Sequence, residues 1–245
     1  MADVFFIKIA GLIIEISPVY PLSERLCKDY IVKPCENPDI SVFVSEEDIK
    51  AELERAKEPA SPDYAEFLYI YRVIAEKLPE FDAFVMHGAA VSYKNQGYLF
   101  TAQSGTGKST HIRLWREYIG KSVDIINGDK PIIKIENDGV FVCSTPWAGK
   151  EGWQKNRIFP LGCVTFLERS KNPYITQKTP AEYIPQIMNQ VYMPKNAGSS
   201  ARTLELIDKL LTGIPLYTLG CDISENSVKV AFEGMTGEKY QGKTN

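Results

Sequence analysis

The chain opens on two short apolar runs, each interrupted by a single charged residue, Lys8 and Glu15. Val4–Ile9 and Leu12–Ile16 read as two short strands joined across Ala10-Gly11 as a tight hairpin. After Pro18 and Pro21 a short helical stretch falls near Leu22–Asp29, and Ile40–Val44 reads as a strand. Ser45-Glu46-Glu47-Asp48 then offers an N-cap and an acidic first turn for a helix toward Ala56. Ser61-Pro62-Asp63 starts a longer helix in which Phe67, Ile70, Tyr71, Ile74 and Leu78 recur at helical spacing, giving one buried face that ends before Pro79. These pieces predict a small α+β unit with a linking helix over residues 1–80, followed by a second domain over 81–245.

From Phe84 the pattern becomes strand, loop, strand, loop, helix, strand, the layout of an α/β core. Phe84–Met86, Ala89–Ser92 and Gly97–Thr101 are the strands, with Lys94-Asn95-Gln96-Gly97 turning between the last two, and Lys108–Ile119 is a helix. Val123–Asn127 is a further strand that delivers Gly128-Asp129-Lys130-Pro131 at its C-terminal end, where α/β sheets place chemistry. Ile132–Ile135 and Val140–Cys143 form a hairpin turning at Asn137-Asp138-Gly139, and a Gly/Trp-rich loop runs from Thr145 to Asn156. Beyond it lie a strand at Cys163–Leu167, helices at Ala181–Tyr192 and Ser200–Leu211, a strand at Leu216–Leu219 and a short helical tail.

The most informative segment is Tyr98-Leu99-Phe100-Thr101-Ala102-Gln103-Ser104-Gly105-Thr106-Gly107-Lys108-Ser109-Thr110, an apolar strand that breaks into a small-residue loop and then a helix. In such a loop successive N–H groups point inward as an anion nest at a helix N-terminus, the lysine reaches the outer phosphates and the serine hydroxyl ligates magnesium. Ser104, Gly105, Thr106, Gly107, Lys108, Ser109 and Thr110 are therefore the candidate nucleotide-binding residues. The usual pattern has glycine where this chain has Ala102, a position compatible with a strand end, whereas Gly105 and Gly107 hold the turn.

Phosphoryl transfer also needs a carboxylate to hold metal or to accept the proton of an attacking hydroxyl. Asp129 is the candidate, coming off a strand after the helix and its turn; the plainer alternative is that it starts a turn before Pro131. His87, between two apolar strand segments, reads by position as a core or turn histidine, because nothing local pairs it with a carboxylate. His111 reads as a surface or packing residue that could also face a nucleotide. Pro146–Arg157 carries two tryptophans among small and charged residues. Either it closes on an acceptor, with Glu151 as a carboxylate and Lys150 or Arg157 neutralising the transferring phosphoryl, or its tryptophans merely pack on the sheet. Arg169 and Arg202 are weaker candidates for phosphate clamps.

Composition narrows the remaining classes. At 245 residues with 44% hydrophobic and 24% charged content the chain has the make-up of a soluble globular protein, and no apolar run approaches a membrane span. The N-terminus lacks the pattern of an export signal, which predicts a cytoplasmic protein with no membrane partner. A net charge of −3 without a basic cluster argues against nucleic acid. Five cysteines, an odd number with no C-x-x-C pair, suggest neither a disulfide framework nor a zinc site.

Taken in this order, His87-Gly88, Ser104–Thr110 and Gly128-Asp129 resemble the catalytic domain of HPr kinase/phosphorylase and its PEP-carboxykinase-like relatives, over about Phe84 to Leu167. The resemblance is to the short bacterial members whose substrates are undefined. It implies a P-loop α/β core of that type, with His87 near the phosphates and the catalytic aspartate. Lys108 and Ser109 match the P-loop pair, and Asp129 matches the second of two aspartates and acts as base. The first aspartate is replaced here by Gly128, which removes one acidic group from the metal site. The first eighty residues do not look like that family's N-terminal domain, and no segment matches its HPr-docking helices. The expected activity is an ATP- and Mg2+-dependent kinase acting on a hydroxyl, either a serine of a protein or peptide or a small hydroxylated metabolite. The rival is a non-catalytic ATP-binding regulatory protein. The resembling kinases assemble through their catalytic domains, which leaves a homo-oligomer open here.

Overall fold

The computed structural model describes residues 2–56 and 58–243. β1 (Phe5–Ile9) and β2 (Leu12–Ser17) pair antiparallel across Ala10 and Gly11. Both turn residues have positive φ, 52° and 84°, the conformation whose twist matches that of the flanking strands. β3 (Ile31–Val32) adds to β1 and β4 (Ile40–Phe43) runs parallel to β2, completing a sheet of order β3-β1-β2-β4. The helices of this part are α1 (Leu22–Leu26), α2 (Glu46–Arg55) and α3 (Pro62–Lys77). Ser45 caps α2 as its sequence requires: its hydroxyl accepts from Asp48 N, and the Asp48 carboxylate accepts from Ser45 N.

α3 packs Phe67, Ile70, Tyr71 and Ile74 with Ile7, Ile9, Ile14 and Ile40, and the same core takes in Val85, Ile132, Cys143 and Trp147 from farther along the chain. Pro79 does not stop the chain at once. The helix runs on as a 3-10 turn (Leu78–Phe81) with Pro79 in its first turn, where the missing N–H removes no bond. Glu66, fully buried on α3, holds the 19–23 segment, its carboxylate accepting from Val19 N, Tyr20 N and Ser23 Oγ.

The second sheet comprises β5 (Ala83–Val85), β6 (Ala89–Tyr93), β7 (Gln96–Thr101), β8 (Val123–Asn127), β9 (Ile132–Glu136), β10 (Gly139–Cys143), β11 (Ile158–Arg169), β12 (Tyr174–Gln177) and β13 (Leu216–Cys221). Its order is β5-β9-β10-β11-β7-β6-β8, with β13 on β11 and β12 outside β13. α4 (Lys108–Ile119) and α7 (Glu225–Thr236) bury Trp115, Ile112, Val228 and Phe232 on one face with Tyr98 and Phe100. α5 (Pro180–Met188) and α6 (Ala197–Gly213) bury Tyr183, Ile187, Leu206 and Leu210 with Leu99 and Val164 on the other. Alternate residues of β7 thus face two cores, and the chain is a mixed α/β structure of three layers.

Two further boundaries differ from expectation. The strand expected over Cys163–Leu167 extends to Ile158–Arg169, because its first residues pair with β10 and its later ones with β7 and β13. The helix expected to reach Tyr192 ends at Met188, because the backbone beyond it is taken up by β5 and the segment after it: Tyr192 N donates to Val85 O and His87 N to Gln190 O. Neither the two-residue β3 nor β12, a largely polar edge strand without apolar alternation, is among the expected strands. No helix among the described residues is long and apolar enough to cross a membrane.

Replacing Glu66 by alanine leaves two partly buried N–H groups and the buried Ser23 hydroxyl short of an acceptor. We expect a loss of about 2–4 kcal/mol in unfolding free energy, seen as a lower urea midpoint at unchanged m-value.

Candidate functional site

β7 is buried on both faces and ends at Thr101, so the chain must leave the sheet at Ala102 and re-enter order at α4. It does so through Gly105 and Gly107 with φ of 79° and 120°, values that L side chains rarely adopt. Ala102 has no positive φ, so alanine fits where the motif more often has glycine. Lys108 Nζ turns back onto the loop, donating to Ala102 O at 2.9 Å and Gln103 O at 3.4 Å. Burial lowers its pKa; the Asp129 charge opposes this and Lys130 adds to it. Arg169, at the end of β11, donates from Nη2 to Gly105 O at 2.9 Å and so braces the loop from the neighbouring strand.

At the end of β8 the fully buried amide of Asn127 organises the acidic turn. Its Oδ1 accepts from Asp129 N (2.9 Å) and Lys130 N (2.8 Å), and its Nδ2 donates to Thr145 O at 2.9 Å and to Thr145 Oγ1 at 3.1 Å. One side chain therefore ties the strand end, the turn and the 145–156 loop together. Gly128 is enforced by the same loop. A Cβ there would lie 2.6 Å from Ala148 O, so an aspartate at this position would collide with loop backbone. This is a physical reason for the single acidic residue in the turn.

Asp129 projects beside His87. The imidazole Nε2 is 3.3 Å from Asp129 Oδ1 and its Nδ1 is 3.0 Å from Gln190 Oε1, while Lys130 Nζ donates to Asp129 Oδ2. The His87 backbone is fixed at both ends, its N–H on Gln190 O and its carbonyl accepting from Thr101 Oγ1 at 2.8 Å. Burial works to raise the Asp129 carboxyl, but the His87 hydrogen bond and the Lys130 charge and hydrogen bond outweigh it and bring the pKa down to about 2. Lys130 also sits 5.8 Å from the Tyr71 ring centre, so a residue of α3 helps to place the cation.

His87, Ser104, Gly105, Gly107, Lys108, Ser109, Thr110, Gly128 and Asp129 line one cleft of about 300 Å3. No protein-family model matches the sequence, and no curated protein does. Among solved structures, an Hpr(Ser) kinase/phosphatase from Coxiella burnetii is similar at 12% identity, over 62% of this chain and 88% of that one, with a TM-score of 0.38.

The cleft adjoins two larger cavities. One, of about 440 Å3, lies between Gln103–Thr106, Glu168-Arg169 and Gln186, Asn189 and Gln190. The other, of about 640 Å3, is bounded by Thr106, Gly107, Thr110, His111, Leu114, Cys221 and Ile223 and is more apolar; Thr106 lines both of these rather than the cleft. His111 is a buried packing residue, not a surface one. Its Nε2 accepts from Trp115 Nε1 at 3.2 Å, its ring lies edge-on to Phe100, and burial pushes its pKa down to about 4.

The remaining candidates lie elsewhere. Lys150 and Glu151 are exposed in the turn between Gly149 and Gly152, and neither lines the cleft. Arg157 pairs with Asp124 at the start of β8, where Lys155 also binds, so it is committed to the opposite end of that strand from Asp129. Arg202 pairs with Asp82 and Glu205. The two tryptophans part company: Trp147 is buried against Phe67 and Tyr71, and Trp153 packs toward the α4 side of the sheet. Sequence reasoning missed Asn127, Lys130 and Gln190 and undervalued Arg169. Lys130 was open to detection beside Asp129, whereas nothing local marks Gln190.

Two outcomes follow. An unfolded aspartate titrates near its ordinary 3.8, but Asp129 in the fold stays ionised down to about 2. Between these values the unfolded chain binds more protons, so stability falls as pH drops from about 4 to 2. Asp129→Asn should flatten that part of an acid-denaturation curve. Gly128→Asp, which restores a second acid, should cost about 1–3 kcal/mol in a thermal or urea melt by displacing the 148 backbone.

Proposed function

We propose that this chain is an ATP- and Mg2+-dependent kinase that transfers a γ-phosphoryl group to a hydroxyl, working in the cytoplasm where ATP is available. The observation that carries the reading is the shared cleft: a glycine-turned loop, a lysine and a helix N-terminus together with a carboxylate held ionised by a histidine and a lysine. Loop N–H groups from Ser104 to Ser109 and the Lys108 ammonium receive the phosphates. The more apolar cavity beside Thr110 and Leu114 suits the nucleoside, being contiguous with the cleft through Gly105, Gly107 and Thr110. Ser109 Oγ and the Asp129 carboxylate are hard oxygen donors of the kind magnesium takes alongside phosphate oxygens, and the ion would offset phosphate charge there.

The acceptor oxygen attacks the γ-phosphorus, the bond to the β–γ bridging oxygen breaks, ADP leaves with that electron pair, and the hydroxyl proton passes to Asp129. A carboxylate titrating near 2 accepts a proton poorly. Incoming phosphate charge beside Asp129 opposes its ionised form and so raises its basicity as the reactants assemble. His87, held by Gln190, positions Asp129 rather than touching the acceptor.

The test is γ-phosphate transfer from labelled ATP into separated protein and metabolite fractions of the source cell. Asp129→Asn should lower transfer about 10²–10⁴-fold with fluorescent mant-ATP still bound, whereas Lys108→Ala should weaken mant-ATP binding itself. Unchanged transfer in Asp129→Asn would remove it as base. Nucleotide binding without transfer by the wild type would favour the ATP-binding regulator instead.

A further inference from the structure

Asp129 lines a second cavity besides the phosphate cleft. This pocket, of about 170 Å3, is walled by Tyr64, Phe67 and Leu68 of α3 and by Trp147 of the 145–156 loop, with Asp129 and Lys130 as its charged groups. Its aromatic wall is fixed in advance. Trp147 stacks on Phe67 with ring centres 5.4 Å apart and planes at 28°, and its Nε1 donates to Phe67 O at 3.1 Å.

We propose that this pocket binds the phosphoryl acceptor, and that the acceptor is a small alcohol with a compact apolar body. The inference rests on the kinase reading above and names the substrate class of the same site. Position argues for it first: Asp129 is a wall of both spaces, so a hydroxyl entering here meets the carboxylate that faces the phosphates. Size argues next. An apolar cavity of about 150 Å3 holds benzene, whereas pockets for drug-sized ligands begin near about 300 Å3. The wall formed by α3 and Trp147 favours an apolar body over a main chain, the polar lining being confined to Asp129, Lys130, Gln154 and the 148–152 side. The residues flanking a serine in a protein would bring N–H and C=O groups against Phe67, Leu68 and Trp147, where the indole N–H is already given to Phe67 O. The N-terminal unit thereby acquires a role, since α3 supplies the wall that selects the acceptor.

The test uses benzyl alcohol as the apolar probe and glycerol as the polar one, read by saturation-transfer NMR, with mant-ATP binding measured on the same samples. Benzyl alcohol should bind the wild type and glycerol should not. Leu68→Trp, at a half-buried position, should fill the pocket and weaken benzyl alcohol by about tenfold or more at unchanged mant-ATP affinity. Leu68→Ala should enlarge it and shift preference toward 2-naphthylmethanol by about tenfold, which keeps the test open if the tryptophan variant does not fold. Equal binding of both alcohols, no effect of either variant while mant-ATP binds, or label from ATP entering only the protein fraction would overturn the acceptor assignment and leave the kinase reading standing. Failure of the wild type to bind mant-ATP would instead overturn the kinase reading itself.

Discussion

The buried amide of Asn127 is the constraint on which the site depends. It sits at the last residue of β8 and spends its donors and its acceptor on three backbone groups and one hydroxyl. Two of those backbone groups belong to Asp129 and Lys130, and the others belong to Thr145, whose hydroxyl in turn donates to Lys130 O at 2.7 Å. An unsatisfied amide in this position would be costly, so the strand end, the acidic turn and the following loop must assemble together or not at all. From that lock follow the direction of the Asp129 carboxylate, the glycine beside it and the delivery of Trp147 to the α3 surface.

Charge at the site is arranged around one acid and two partners from different parts of the chain. His87 comes from the connection between β5 and β6 and Lys130 from the turn itself, while Gln190 reaches in from beyond α5 to fix the imidazole. A lone half-buried carboxylate would be driven toward neutrality; here the partners more than reverse that tendency. The arrangement keeps Asp129 ionised in the fold, its charge set by groups from three separate segments. Arg169 does the complementary task on the loop, holding Gly105 from an adjacent strand.

The N-terminal sheet and helices share a core with β5, β9 and the 145–156 loop. α3 is the joint: one stripe covers its own sheet, while Phe67 and Tyr71 meet Trp147. Placing aromatic residues of the first part of the chain beside an acid of the second turns a structural seam into the wall of a pocket.

Locally encoded features were legible in the sequence. The Ala10-Gly11 turn, the Ser45 cap, the helix from Lys108 to Ile119 and the strand from Val123 to Asn127 each depend on neighbours within a few residues, and period or turn chemistry reports them. So do the glycine turns and the lysine of the loop before α4, which fall within four successive positions, Gly105 to Lys108. The polar edge strand β12 and the end of α5 at Met188 were not legible, because pairing with distant backbone decides them. The same holds for the chemistry. His87 looked like a core histidine until the fold brought it to 3.3 Å from Asp129, and Arg157 looked available until Asp124 claimed it. By itself the sequence determined most of the strands and helices and the glycine-turned loop before Lys108, all products of short-range propensity and spacing. Tertiary structure alone decided which charges meet, why residue 128 cannot carry a side chain and where a pocket opens, because those depend on contacts between segments far apart along the chain.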